Sequence, residues 1–144
     1  MSRTAALSSI EEEIGVLLRR LKREIADRAQ MIHRDMQGAS YFLLGWLAEN
    51  GPVRASAIVA VFGMDKGALS RQLQHLEDLG LVQRTPDPAD GRATLVSVSE
   101  DATRRLAEVD GQRRAVAGEK LSEWTVAELQ EFAQQLGRYN RSLA

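Results

Sequence analysis

Between Val53 and Val98 an apolar segment, a glycine break, a second helical segment and two β-rich runs follow one another with almost no spare residues. Ala55, Ile58, Val59 and Phe62 form a short stripe at helical spacing that stops at Gly63. Only Gly63 and Met64 then precede Asp65, whose carboxylate can cap the next helix. Met64 and Leu69 occupy the two positions of a hydrophobic staple, which fixes the angle of chain entry. Helix, tight glycine turn and helix together make the helix-turn-helix pattern.

On a helical wheel at about 100° per residue, Leu69, Leu73, Leu76 and Leu79 share one side of the second helix. Gly67, Ser70, Arg71, Gln74 and His75 fall on the other, and Lys66 reaches outward from the first turn. Glu77 and Asp78 are confined to the C-terminal end. Gly80 supplies the left-handed residue that closes such a helix, and Leu81 can pack back on the last turn. Leu81–Thr85 and Ala93–Val98 read as strands joined by a turn over Pro86–Arg92, where two prolines, two aspartates and a glycine gather. Arg84 lies at the base of this ribbon and Arg92 at its tip.

Charge gives no direct pointer to a nucleic acid. The formal net charge is -1, and Val53–Arg92 balances Arg54, Lys66, Arg71, Arg84 and Arg92 against Asp65, Glu77, Asp78, Asp87 and Asp90. Any nucleic-acid face must therefore arise from segregation of these groups, not from their sum.

The flanks read as helices. Met1–Leu7 carries no pattern and is expected to fray, whereas Ser9 and Glu12 stand at capping-box spacing before Ile10, Ile14, Leu17, Leu21, Ile25 and Ile32. The polar side of that helix carries Arg19, Arg20, Lys22, Arg23 and Arg28, a pattern of a solvated face. Ala39–Leu47 is apolar nearly all round and should lie inside, ended by Asn50-Gly51-Pro52 with a left-handed glycine cap. After Ser99 the pattern is helical again, and Thr125 with Glu128 forms a second capping box before Val126, Leu129, Phe132, Leu136 and Leu143.

With no cysteine, a disulfide framework, a thiolate metal site and a thiol redox switch are excluded within the chain. Neither a secretory leader nor an apolar run of membrane-spanning length is present, so a soluble, cytoplasmic protein is expected. No P-loop, nucleophile elbow or acid–base constellation can be assembled, since His33 and His75 stand far apart. No enzyme activity, cofactor or metal is expected.

The strings Gly67-Ala68-Leu69-Ser70-Arg71, Leu76-Glu77-Asp78-Leu79-Gly80-Leu81-Val82-Gln83-Arg84 and Asp87-Pro88-Ala89-Asp90-Gly91-Arg92 resemble the multiple-antibiotic-resistance regulator (MarR) family over nearly the whole chain. The wing string, at this distance from the second helix, is the specific part of the match. The resemblance implies a mainly α fold with a small β-wing, a single domain over 1–144 in which residues 38–98 form a winged helix-turn-helix lobe. Residues 8–36 and 99–144 would supply dimerisation helices. It further implies a homodimeric repressor that places the helix from Asp65 in the major groove and Arg92 in the flanking minor groove. In many members a small, often aromatic or phenolic, effector releases the DNA. Arg54 stands where the family often has a capping Ser or Thr, which leaves that helix uncapped and adds a charge near the DNA backbone. Lacking cysteine, the chain does not follow the family's peroxide-sensing branch.

The candidate DNA-binding residues are thus Arg54, Lys66, Gly67, Ser70, Arg71, Gln74, His75, Arg84 and Arg92. Arginine can bond both O6 and N7 of guanine, which suits Arg71 to base reading; the alternative is an arginine fixed to Glu77 or a phosphate. Lys66 is assigned to phosphates at the positive end of its helix. Arg92 suits a narrow minor groove, or an ion pair with Asp90 that shapes the turn. Candidates for an effector pocket are His33, Tyr41 and Trp46, whose plainer roles are a solvated linker for the histidine and core packing for the aromatics. The expected partner is double-stranded DNA carrying an inverted repeat; the alternative is a winged helix that uses the same face for a protein.

Overall fold

Helical periodicity and local caps decide most of the architecture. The computed structural model describes residues 1–143. Six helices and a small sheet follow in the order α1 (Arg3–Ile32), α2 (Gly38–Asn50), β1 (Val53–Arg54), α3 (Ala55–Phe62), α4 (Lys66–Asp78), β2 (Val82–Asp87), β3 (Asp90–Val98), α5 (Glu100–Lys120) and α6 (Val126–Ser142). By contact density the chain divides into one unit, Met1–Val109, and a second from Asp110 onward, so the division falls within α5.

In the first unit, Ile25, Ala29 and Ile32 of α1, Leu43, Leu44 and Leu47 of α2, Ile58 of α3, and Leu69, Leu73 and Leu76 of α4 are buried. Ala102, Leu106 and Val109 of α5 join that core. Arg105 closes its edge, donating from Nη1 to the Ile32 carbonyl at 2.6 Å and pairing through Nε with Asp101 at 2.9 Å. The last carbonyls of α1 have no intrahelical donor, and α1 has no basic residue in its final turn, so a cation from α5 fills that role.

Several sequence expectations change. Helix α1 begins at Arg3, where Ser2 caps it by accepting from the Ala5 amide at 3.1 Å; Ser9 is interior and donates to the Ala5 carbonyl. Ala5, Ala6 and Leu7 are good helix formers, so the earlier serine wins and the Ser9–Glu12 box does not form. Helix α2 buries one side only: positions 40, 43, 44 and 47 face the core, while Phe42 is 55% exposed. Gly51 ends α2 in an extended conformation, φ -77°, not a left-handed one. Glycine is needed there because a Cβ would stand 2.7 Å from the Leu47 carbonyl oxygen.

The expected two-stranded ribbon is three-stranded, in the order β1-β3-β2. Val53 pairs with Val96 and Arg54 with Leu95, both antiparallel. The hairpin also runs further than its composition suggests: β2 continues to Asp87, with Pro86 opposite Thr94 and an irregularity between Pro86 and Asp87. Proline is tolerated because β2 is an edge strand.

In the second unit, Thr125 and Glu128 form the anticipated capping box, each side chain bonding the other's backbone amide. Trp124 packs edge-on against Phe132, ring centres 5.9 Å apart. No helix among the described residues is long and apolar enough to cross a membrane.

Candidate nucleic-acid interface

Both ends of α4 are set by local chemistry. At the start, the Asp65 carboxylate accepts from the Ala68 amide at 3.0 Å. Just before it, Gly63 ends α3 in the left-handed region, φ 60°, and Met64 packs against the core that contains Leu69. At the far end, the Leu81 amide bonds the Leu76 carbonyl and the Gly80 amide bonds that of Glu77, both at 2.9 Å. With Gly80 at φ 73°, this is a complete Schellman closure, and buried Leu81 lies against the core.

Anchored by Leu69, Leu73 and Leu76, α4 turns its other side to solvent. Lys66, Gly67, Ser70, Arg71 and Gln74 are all exposed there. Among the described residues Lys66 and Arg71 form no ion pair, and Glu77, the carboxylate suggested as a partner for Arg71, pairs with Arg84 at 2.8 Å. Gly67 keeps the first turn open: a Cβ would meet Asp65 Oδ2 at 3.1 Å and Arg71 Nη1 at 3.5 Å. Gln74 is partly committed, donating to Asp78 at 2.9 Å.

Three other candidates are engaged in the fold. His75 is half-buried, its Nε2 3.0 Å from the Asp35 carbonyl oxygen, so it ties α4 to the segment between α1 and α2. Arg84 is bound to Glu77, joining the base of the hairpin to α4. Arg54, the uncapped residue before α3, places Nε and Nη2 each 2.7 Å from Asp87 Oδ2. Glu77, seven positions before Arg84, takes that arginine instead of Arg71, whereas Asp35 and Asp87 lie 40 and 33 positions from the residues they engage, beyond the reach of a local reading. Gln72, which bonds buried Ser40 at 3.1 Å and so docks α4 on α2, escaped for the same reason.

The wing presents Arg92 as the third residue of β3, exposed and without an ion pair among the described residues. Asp90 does not pair with its guanidinium; instead Oδ1 accepts from the Arg92 backbone amide at 3.1 Å, closing the turn. Asp87 acts similarly through Oδ1, which accepts from the Ala89 amide at 2.9 Å.

The Ala89 amide, and after it the Arg54 guanidinium, hold the Asp87 carboxyl below its ordinary value of 3.8. A carboxyl depressed on folding stabilises the fold above its unfolded pKa and loses that contribution as pH falls through the folded value. Thermal melts from pH 6 down to pH 2 should thus fall less steeply below about pH 4 for Asp87→Asn than for the wild type.

Of the suggested pocket residues, His33 lies at the end of α1, while Tyr41 and Trp46 are both on α2. His33 ends α1 and is half-buried, its Nδ1 accepting from the Asp35 amide at 3.1 Å. Trp46 meets Phe62 of α3 edge-on at 5.8 Å, and Tyr41 meets Phe42 at 6.1 Å, both on α2 and both packed against the core. Among the described residues, no group of three or more His, Cys, Asp or Glu could hold a metal ion.

The chain is similar to known proteins over most of its length. Residues 34–93 match the sequence profile of the MarR family. The chain is 33% identical over 134 residues to YxaD, an HTH-type transcriptional regulator of Bacillus subtilis, covering 92% of each. Among solved structures, a MarR family protein from Bacillus stearothermophilus superposes with a TM-score of 0.84 at 16% identity, covering 99% of both chains. A MarR family regulator from Listeria monocytogenes, complexed with 26mer DNA, gives 0.72 at 17% identity, covering 92% of this chain and 87% of that one.

Proposed function

The chain belongs to the MarR family of transcriptional regulators, and from that premise we propose that it is a homodimeric repressor of an inverted-repeat operator. The carrying observation is that Lys66, Ser70 and Arg71 stand exposed on α4, the two cations unpaired, while Arg92 stands unpaired on the wing. In this reading α4 enters the major groove, Arg71 bonds a guanine edge, Lys66 and the start of the helix meet phosphates, and Arg92 enters the neighbouring minor groove. The DNA-bound Listeria neighbour shares this fold and supports the assignment.

Dimerisation would cover apolar side chains that otherwise face water. Val126 and Phe132 of α6 are 71% and 54% exposed, and Leu7, Ile10, Leu17 and Leu18 of α1 are also exposed. Faces of this kind mark association surfaces. Twofold symmetry then sets the two α4 helices about 34 Å apart, with half-site centres about 10 bp apart. A small aromatic or phenolic effector, acting near His33, Tyr41 and Trp46, would release the DNA. The protein would act in the cytoplasm.

Selection of bound duplexes from a randomised pool tests this reading. It should enrich a palindrome whose affinity falls steeply with salt, as phosphate contacts displace counterions. Failure to enrich any motif would favour the alternative, a winged helix whose exposed α4 face binds protein.

A further inference from the structure

We propose that Arg54 and Asp87 are positioning residues for the wing: the ion pair between them sets the pose of the outer hairpin, and thereby of Arg92, without either residue touching DNA. The proposal rests on α4 and the wing being the DNA interface.

Sheet topology shows why the hairpin needs such a restraint. The third strand covers β3 only at Val96 and Leu95. Beyond Leu95, from Thr94 to Asp90, the hairpin is two-stranded, and Arg92 sits in that unsupported part. A two-stranded hairpin by itself is marginally stable in water. Because β3 lies between β1 and β2, Arg54 must reach past the central strand to meet Asp87 at the end of β2. It thereby ties the turn of the wing to the start of α3.

The state of Asp87 fits this role. Its side chain is 10% exposed, unlike a typical turn aspartate, and both oxygens are used, Oδ1 by the Ala89 amide and Oδ2 by Arg54. A nearly buried carboxylate beside a DNA-facing ribbon works against phosphate binding by charge alone. Its pairing with Arg54 neutralises it and converts it into a hinge pin. The Arg84–Glu77 pair fixes the other end of the hairpin to α4, so the wing is restrained at base and turn.

Arg54→Gln, Asp87→Asn and the double variant of the full-length protein test the clamp in two assays. The first titrates each against the best duplex that the wild type enriches from a randomised pool. Asp87→Asn removes a negative charge and keeps an oxygen for Ala89, so electrostatics alone predicts equal or tighter binding. The clamp predicts about tenfold weaker binding, with the double variant no worse than either single, as for two members of one interaction. A direct phosphate contact by Arg54 would instead lower the salt slope by about 0.9 for Arg54→Gln and leave Asp87→Asn unharmed.

The second assay follows hydrogen exchange of wing amides in the free protein. Exchange over residues 85–94 should quicken in both single variants while α4 remains protected. Wild-type exchange in both, or undiminished affinity of Asp87→Asn, would overturn the proposal. If the wild type enriches no duplex, the DNA reading fails, and exchange alone still decides whether the clamp holds the wing. Arg54→Gln changes a side chain that is 44% exposed, so the test survives if Asp87→Asn unfolds the chain.

Discussion

Arg71→Ala is expected to abolish most of the preference for the operator over unrelated DNA while leaving the fold intact. Arg71 is exposed on α4, free of the Glu77 carboxylate, and beside the opening left by Gly67. A bidentate arginine–guanine contact is worth about 1 to 3 kcal/mol of discrimination. In a symmetric dimer every substitution is made twice, so the loss is about 2 to 6 kcal/mol, roughly thirtyfold to twenty-thousandfold in relative affinity. Competition titrations against operator and scrambled duplexes of equal length measure it. Affinity for the scrambled duplex should change far less, since its binding comes from phosphates.

The second large effect is on stability. Leu73 is 1% exposed in the core shared by α2, α3 and α4, and it is the middle of the three leucines that seat α4. Leu73→Ala removes three carbon atoms from a close-packed site and should cost about 2 to 5 kcal/mol, the range for buried leucine truncation. Urea denaturation at fixed protein concentration reads the change, the concentration being held because association stabilises the folded state. Arg71→Ala should leave that midpoint within about 0.5 kcal/mol of the wild type, as exposed substitutions do. The two variants thereby separate the reading face of α4 from its anchoring face.

What could be read from the sequence was local. The Asp65 cap, the Gly63 turn, the Gly80 closure and the Thr125–Glu128 box each involve residues a few positions apart, and their chemistry leaves one solution. The leucine stripe of α4 was legible because its burial follows directly from helical period. Where two local solutions competed, the sequence was ambiguous, as with Ser2 against Ser9 at the start of α1.

Long-range partners could not be read. Arg54 looks like a DNA-facing charge until Asp87, 33 residues on, occupies it, and His75 looks like a groove residue until the Asp35 carbonyl, 40 residues back, does the same. Strand β1 was invisible for a related reason, since two residues carry no alternation and exist as a strand only through β3. Gly51 is a different case, its need for glycine arising locally, from the approach of the Leu47 carbonyl four residues back, and not from a left-handed turn. Sequence reading thus gave the helix proposed to read DNA, and the structure redistributed the charges around it. Lys66 and Arg71 on α4 and Arg92 on the wing stay free, whereas Arg54 and Arg84 are spent on holding the wing.

The most direct measurement is a chemical footprint of the wild-type protein on the duplex it enriches from a randomised pool. Protection of guanine N7 in two major-groove patches about 10 bp apart, flanked by minor-groove protection beyond each patch, is the predicted result. Protection spread evenly along the duplex, or a single patch without its symmetric mate, would contradict a dimer that reads DNA through α4 and steadies itself through the wing.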